Sequence, residues 1–212
     1  MGDDKLVISS AALSFCRERA ESLLARENSG HDWEHTLRVM KNAETIYHSE
    51  YGANPKYDLN LLLLCACLHD VADHKFYPEE EARRNVIFSI LTQAAVEIYA
   101  YETIFGLIES VSFSQKKSCD PRYLELSHIL QDADRLDAIG AIGIARTFAY
   151  GGKAGRKIYD LSRNEPDSIQ HFYDKLLHLA DAMHTDTARQ LATERHNFMN
   201  LFLNEFYHEI NL

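Results

Sequence analysis

The sequence predicts an all-α protein, and three observations favour this fold class. Apolar residues recur with the 3.6-residue period of amphipathic helices, whereas few stretches alternate with the period of two that strands require. The 212 residues include only nine glycines and four prolines, so few breaks interrupt the helical pattern. Hydrophobic residues make up 46% of the chain, which is enough to fill a sizeable core. One domain over residues 1–212 is the simplest organisation, because no linker, internal repeat or low-complexity segment divides the sequence.

The N-terminal part predicts three helices in succession. The first is expected over about Ser10–Arg26, and the second, capped by Asp32, runs to about Tyr51. The third, capped by Asp58, is expected over about Asp58–Val71 and contains the apolar run Leu61–Leu68. This run is too short to cross a bilayer, which needs about 20 residues. We therefore expect a helix that is buried on all sides.

The middle of the chain predicts three more helices. Pro78 followed by glutamates is typical of a helix start, here over about Glu79–Leu91. Thr92 is expected to cap the next helix, over about Gln93–Ser112. The Asp120-Pro121 pair then opens a helix that continues toward Leu136.

The C-terminal part predicts three helices around a basic segment. The stretch AIGAIGIARTFAYGG is expected to form a closely packed helix that Gly151 and Gly152 end. A basic segment, Lys153–Arg163, is either a lid over an anionic substrate or a solvated loop. Further helices are expected over about Pro166–Met183 and from about Thr185 to near Ile210. The predicted buried residues of the last helix are Leu191, Phe198, Phe202 and Phe206.

Charge and cysteine content exclude several classes of protein. A net charge of -10 opposes binding of a nucleic acid polymer, because phosphate backbones are held by clustered Lys and Arg. The N-terminal MGDDKLVISS lacks a cationic segment followed by an apolar one, so we expect a cytoplasmic location and no membrane association. Cys65 and Cys67 lie inside the apolar run, and no C-x-x-C pair occurs. We interpret the cysteines as reduced core residues. A monomer or a homodimer is expected.

Four polar segments stand out against this helical background. HDWEH places His31 and His35 four residues apart on one helix, and His69-Asp70 follows the buried run directly. The other segments are the loop with Asp73 and Lys75 and the stretch QDADRLDAIG with Asp132, Asp134 and Asp137. Two imidazoles with two carboxylates suit a borderline divalent ion, which lowers the pKa of bound water and neutralises phosphoryl oxygens. A buried hydrogen-bond network is the alternative interpretation.

The order and spacing of these segments resemble the H…HD…D signature of the HD-domain phosphohydrolase superfamily. HDWEHTLRV, LLLLCACLHDVAD and QDADRLDAIGAIGIAR carry the resemblance, which extends from about Gly30 to Ala149. The chain looks most like the stand-alone bacterial HD hydrolases of the YedJ/YpgQ type, which share its C-terminal helices. The resemblance implies an HD-domain helical bundle, with a motif core at about 30–150 and additional C-terminal helices at about 165–212.

The resemblance also implies an activity and a ligand set. Members of this group hydrolyse nucleoside triphosphates to the monophosphate and pyrophosphate with manganese. One divalent ion is therefore expected, with manganese ahead of magnesium, nickel, cobalt, iron and zinc. Asp73 matches a second acid that is often catalytic in related hydrolases, and it is expected to orient or deprotonate water. The residues that match the metal ligands are His35, His69, Asp70 and Asp134.

Several residues near these motifs are candidates for contact with a small nucleotide or phosphate-ester substrate. Lys75, Arg38 and Arg146 are expected to contact phosphate, with simple solvation as the alternative. His31 faces the substrate, supports a metal ligand or belongs to the helix start. Asp137 either approaches the site or pairs with a nearby Arg135 or Arg38.

Two other functions compatible with this sequence stay open. The first is a non-catalytic HD module that senses a nucleotide. The second is a phosphomonoesterase or phosphodiesterase of the same fold. No H-x-x-G-Y-P stretch is present, which argues against the cyclic-dinucleotide branch of the superfamily.

Overall fold

The computed structural model describes residues 5–25, 32–73, 77–111, 119–162 and 165–210. Within these ranges the chain forms nine α-helices and three short 3₁₀-helices, and no strand, so the predicted all-α class is confirmed. The α-helices are α1 (Ser10–Leu24), α2 (Trp33–Tyr51), α3 (Leu59–Leu68), α4 (Glu80–Gln93), α5 (Tyr101–Glu109), α6 (Leu124–Asp137), α7 (Gly140–Lys153), α8 (Gln170–Asp174) and α9 (Asp186–Ile210).

The chain has two compact units, Met1–Ala133 and Asp134–Leu212. The organisation as a single domain stays a prediction. Every helix in the described ranges is either too short or too polar to cross a membrane.

Helix α3 forms the centre of the first unit. It packs against α1, α2 and α5, and its leucines Leu61, Leu62 and Leu64 are fully buried. The Asp58 carboxylate caps its start by accepting a hydrogen bond from the Leu61 backbone N–H at 2.9 Å. The burial expected from the apolar run is therefore confirmed.

Helix α3 ends at Leu68, three residues before the predicted end at Val71. The following backbone makes tight turns, with the Val71 N–H donating to Leu68 O at 3.2 Å and the Asp73 N–H donating to Asp70 O at 3.3 Å. Because i to i+3 bonds replace the α-helical pattern, His69 and Asp70 lie in a turn at the helix end rather than inside the helix.

The structure corrects the predicted cap at Thr92. This residue lies inside α4, and its hydroxyl donates to Phe88 O at 2.8 Å. The helix ends because Ala95 adopts a left-handed backbone with φ of 54° and the Val96 N–H donates back to Leu91 O at 3.0 Å. This is a Schellman termination with alanine at the position where glycine is usual. A helix over about Gln93–Ser112 is therefore wrong, and α5 begins only at Tyr101, after a 3₁₀-helix over Ile98–Ala100.

In the second unit, the predicted role of two glycines is wrong. Helix α7 continues through Gly151 and Gly152 to Lys153. A Cβ atom on Gly151 would lie 2.2 Å from Ser168 Oγ, so this glycine serves close packing rather than helix termination.

The helix predicted over about Pro166–Met183 is broken in the structure. Asp167 accepts a hydrogen bond from the Gln170 N–H at 2.6 Å, and α8 begins there but ends at Asp174. Lys175 leaves the helical conformation with φ of -139°, and a 3₁₀-helix over Leu176–His178 follows.

The last helix is confirmed, but its predicted buried face is partly wrong. Phe198 is 50% exposed, whereas Leu191, Phe202 and Phe206 are half-buried. The side chains that α9 buries are Ala188, Ala192, Met199 and Leu203. The small alanines and a methionine are thus the buried residues, and Phe202 contacts the rings of Phe148 and Phe172 with 5.9 Å between centroids.

The cysteines of the described chain are free thiols, as predicted. Cys16, Cys65 and Cys67 are buried, and Cys119 is half-buried. Burial raises the pKa of Cys16 to about 12 and also raises the pKa of Cys65 and Cys67. Because the thiolate is the reactive form, these three core thiols are chemically inert in the folded protein.

We expect a thiol reagent to label Cys119 first in the native protein at pH 7.5. The three core cysteines should react at least about 100-fold more slowly, because they must wait for an opening of the core. Mass spectrometry of peptides after timed labelling measures the rates, with labelling in denaturant as the control. Equal rates at Cys65 and Cys119 would contradict the buried position of α3.

Candidate metal centre

Three side chains of the first unit converge on one point. His35 Nε2 lies 3.3 Å from His69 Nε2 and 3.2 Å from Asp70 Oδ2. The third side of this triangle, from His69 Nε2 to Asp70 Oδ2, is 3.4 Å. We call these residues the His-His-Asp triad. Of the metal ligands expected from the sequence, the structure therefore brings together His35, His69 and Asp70.

The capped start of α2 positions His35. Asp32 accepts a hydrogen bond from the His35 backbone N–H at 2.7 Å, as predicted for an N-cap. The His35 side chain is fully buried, and its ring meets the His69 ring edge to face at 5.3 Å between centroids. The cap therefore holds the backbone of the first turn of α2, and this turn carries the His35 side chain to the triad.

The end of α3 fixes both the direction and the tautomer of His69. Its Nδ1–H donates a hydrogen bond to Ala66 O at 2.8 Å, one turn earlier on the same helix. A proton on Nδ1 leaves the lone pair on Nε2, the atom that faces His35 and Asp70. This carbonyl contact is the kind of outer support that orients metal-binding histidines.

The donor set of the triad fits a divalent metal ion. Two imidazole nitrogens and one carboxylate oxygen are buried together, with Asp70 only 6% exposed. Atoms 3.2–3.4 Å apart can all contact one ion at the bond lengths of about 2.0–2.2 Å that proteins use for imidazole and carboxylate ligands. Mixed nitrogen and oxygen donors are typical of manganese, iron, nickel, cobalt or zinc sites. A metal is therefore a physically reasonable partner for this buried, electron-rich cluster.

Asp134, the fourth ligand expected from the sequence, lies on α6 at the start of the second unit and is half-buried. Its role as a ligand stays a prediction. The preceding residue belongs to the first unit, and there Asn42 of α2 donates a side-chain hydrogen bond to Ala133 O at 3.0 Å. No pattern in the sequence marks Asn42, because one asparagine on a helix has no distinctive spacing.

Asp73 and Arg38 lie close in sequence to the triad. Asp73 is half-buried and follows Asp70 by one turn, with its N–H bonded to Asp70 O at 3.3 Å. Arg38 is half-buried and lies three residues after His35 on α2. Their catalytic and substrate-binding roles stay predictions. His31 and Lys75, the other two candidates of the first unit, lie outside the described residues.

Arg146 forms an ion pair that no spacing in the sequence indicates. Its Nη1 donates to Asp137 Oδ2 at 2.7 Å, and Asp137 is almost fully buried. For Asp137 the sequence offered an approach to the site or a pair with Arg135 or Arg38. The structure pairs it with Arg146, and Arg135 donates to Ala182 O at 2.6 Å. A non-helical break at Ile139 separates α6 from α7, so spacing gave no sign of this contact.

In the basic segment, the structure describes residues up to 162. Lys157 pairs with the buried carboxylate of Asp160 at 3.0 Å, and Asp160 also accepts hydrogen bonds from the Ser162 hydroxyl and the Glu165 N–H. Arg163 lies outside the described residues. These contacts organise the segment internally, and a lid and a solvated loop stay the two alternatives for it.

Fold and triad together define a family. The sequence model of the HD domain matches residues 32–139, about half of the chain. The chain belongs to the HD domain family. It has the fold of the HD-superfamily hydrolases, a family of metal-dependent phosphohydrolases.

Similar proteins come from several bacteria. The protein YpgQ of Bacillus subtilis is 38% identical over 196 residues, which cover 92% of this chain and 91% of YpgQ. The crystal structure of YpgQ in complex with ADP matches with a TM-score of 0.75 and 33% identity, covering 93% of this chain and 97% of that one. An HD-superfamily hydrolase of Bacillus thuringiensis matches with a TM-score of 0.74 and 37% identity, covering 94% and 96% of the two chains.

We expect Asp70→Asn to weaken binding of a divalent ion by at least about 100-fold. The amide removes the negative charge that holds the cation between two neutral imidazoles. Competition of the purified protein with a fluorescent chelator for Mn²⁺ or Co²⁺ measures the affinity. Asp186→Asn is the matched control, because the Asp186 side chain is 84% exposed on α9. Unchanged affinity in folded Asp70→Asn would remove the triad as the metal site.

Proposed function

We propose that this protein hydrolyses nucleoside triphosphates, or a closely related nucleotide phosphate ester, with release of pyrophosphate. The His-His-Asp triad is the observation that carries the proposal, because it offers a divalent ion three ligands whose side chains are at most 8% exposed. Membership of the HD domain family supports the phosphohydrolase class. The complex of the relative YpgQ with ADP supports a nucleotide as the ligand.

We further propose one divalent ion, with manganese as the first choice and Asp134 as the fourth ligand. The support for Asp134 is its position in the sequence motif ADRLD. A divalent ion held by these residues supplies a Lewis acid for a phosphoryl oxygen and lowers the pKa of water. A cytoplasmic location and a monomeric or dimeric state are further expectations from the sequence.

Asp73 is the proposed catalytic acid and base. It follows Asp70 by one turn, and the backbone bond between these two residues ties its position to the triad. A carboxylate there accepts a proton from the attacking water and returns it to the leaving phosphate oxygen. Water attack forms the new phosphorus–oxygen bond as the bond to pyrophosphate breaks.

The proposed substrate contacts are cations and a histidine that surround the triad in sequence. Arg38 lies one turn beyond His35 on α2, so its guanidinium projects from the same helix surface as a metal ligand. Guanidinium groups bind phosphate oxygens through two parallel hydrogen bonds. Lys75 and His31 are the other proposed contacts, on the strength of the sequence motif.

We expect the metal-free protein to regain activity when Mn²⁺ is added, with nucleoside triphosphates as substrates. A chelator-treated sample is reloaded with Mn²⁺, Co²⁺, Ni²⁺ or Mg²⁺ and offered a panel of nucleoside mono-, di- and triphosphates. Chromatography and a pyrophosphate assay identify the products. Pyrophosphate with the monophosphate is the expected result.

Other outcomes of this screen would overturn the proposed reaction. Inorganic phosphate from monophosphates would identify a phosphomonoesterase. Saturable nucleotide binding without turnover over hours would identify a sensing module. Turnover that Asp70→Asn leaves unchanged would point to a contaminating enzyme.

We expect Asp73→Asn to lower kcat by about 10²–10⁴-fold, because the amide cannot accept the proton of the attacking water. Its Mn²⁺ affinity should stay within about threefold of the wild type, since the triad is intact. Steady-state kinetics and chelator competition on the same sample measure both quantities. Asp186→Asn again serves as the control. A combined loss of metal and turnover would make Asp73 a metal ligand instead of the base.

A further inference from the structure

Two arginines from later helices hold the last turn of α6 within the second unit. Arg146 of α7 donates through Nη1 to the Asp137 carboxylate at 2.7 Å and to Asp137 O at 3.3 Å. Arg195 of α9 donates to Leu136 O. The last carbonyls of a helix lack partners within the helix, and cations near them also interact favourably with the helix dipole. We call this arrangement the arginine clamp.

The arginine clamp is built into the interior of the second unit. Asp137 is only 2% exposed, and Arg195 is half-buried. Burial lowers the pKa of the Arg195 guanidinium, and nearby Asp137 raises it again. Gly140 makes room for the Arg195 stem, because a Cβ at Gly140 would lie 3.0 Å from both Cβ and Cγ of Arg195. In the Arg146–Asp137 pair the carboxylate is 2% exposed and the guanidinium side chain 22%, so solvent screens this pair less than an exposed one.

The clamp acts next to the proposed fourth metal ligand. Asp134 lies three residues before Asp137, so the two carboxylates occupy the same side of α6 one turn apart. Holding the Leu136 and Asp137 carbonyls fixes the rotation of this last turn about the helix axis. Asp134 lies in the same turn, so its side chain moves with that rotation.

We propose that Arg146 and Arg195 are positioning residues that orient Asp134 for metal binding. This inference rests on the proposed function, in which Asp134 is a ligand. It assigns Arg146 a role other than the phosphate contact expected from the sequence. A phosphate that recruited Arg146 would draw a cation away from a buried carboxylate, which is unfavourable.

A double-mutant cycle between Arg146 and Asp134 tests the inference. The four proteins are the wild type, Arg146→Met, Asp134→Asn and the double variant. Co²⁺ is the probe, because its visible absorption reports both affinity and ligand geometry. Thermal unfolding of the metal-free proteins is followed in parallel. The control is Asp186→Asn with Arg189→Met, an exposed pair of the same residue types in the same unit.

The expected result is coupling between the two positions. Asp134→Asn should weaken Co²⁺ binding at least about 10-fold, and Arg146→Met should weaken it about 10–100-fold when Asp134 is present. In the Asp134→Asn background, Arg146→Met should change the affinity by less than about twofold, because a positioning residue acts only through the ligand it orients. The Co²⁺ spectrum should change with Arg146 only when Asp134 is present, and the control should match the wild type.

Several outcomes would overturn the inference, and they differ from a failure of the proposed function. Equal losses in both backgrounds would show a general structural role, and wild-type affinity in folded Arg146→Met would show no role. Unchanged affinity in Asp134→Asn would remove both the fourth ligand and the positioning role. A wild-type protein that binds no Co²⁺ would instead overturn the proposed function.

A milder variant covers the case in which Arg146→Met does not fold. Arg146→Lys keeps a cation beside Asp137 but loses the planar guanidinium. The same cycle should then give a loss of about threefold with Asp134 present and none without it. Wild-type affinity and spectrum in Arg146→Lys would overturn the requirement for the guanidinium.

Discussion

The hydrogen bond from His69 Nδ1 to Ala66 O is the interaction on which the candidate metal centre depends. It ties the imidazole to the last turn of α3, a helix that is buried among α1, α2 and α5. A side chain attached to such a helix has little freedom, so its Nε2 atom is held in place before any ion arrives. The entropy of ordering the ligand is therefore lost on folding and not on metal binding. The burial of α3 therefore also restrains the candidate metal-binding side chain at the end of this helix.

The same principle operates at the end of α6, with a different kind of bond. At α3, a histidine bonds back to a carbonyl of its own helix. At α6, arginines from α7 and α9 reach the terminal carbonyls from outside. Both helix ends are sites where backbone oxygens need partners, and in both cases the partner restrains a residue of the H…HD…D motif or its close neighbour. Helix ends provide rigid positions because their unsatisfied groups recruit side chains.

The sequence predicted the parts of the structure that depend on local patterns. The Asp32 and Asp58 caps, the buried leucines of α3 and the His-Asp pair at its end follow from spacing and composition, and the structure confirms them. The family was also predictable, because its motif combines several residues at long but characteristic separations. A capping residue or a buried run acts within one or two turns, so its neighbours in sequence are its neighbours in space.

Features that depend on tertiary contact could not be predicted in this way. Gly151 resembles a helix terminator in sequence, yet the approach of Ser168 explains its presence inside α7. Ala95 ends α4 in a backbone conformation that alanine rarely adopts, so no local signal marked it. The Arg146–Asp137 pair joins two helices across a break in the helical backbone. In α9, the large phenylalanines suggested the position of the buried face, whereas small alanines are among the residues that are actually buried. These features depend on contacts between residues that are distant in sequence, or on small side chains whose burial their hydrophobicity alone does not indicate.

The buried thiols of α3 lie close in sequence to the triad, but the triad itself contains no sulfur. Cys65 and Cys67 precede His69 by four and two residues, and thiolates would outcompete imidazole and carboxylate for soft ions such as Cu(I). Burial raises the pKa of both thiols, and the donors of the triad are nitrogen and oxygen. A donor set without sulfur offers thiophilic metals no preferred ligand, so the triad suits borderline ions better than soft ones.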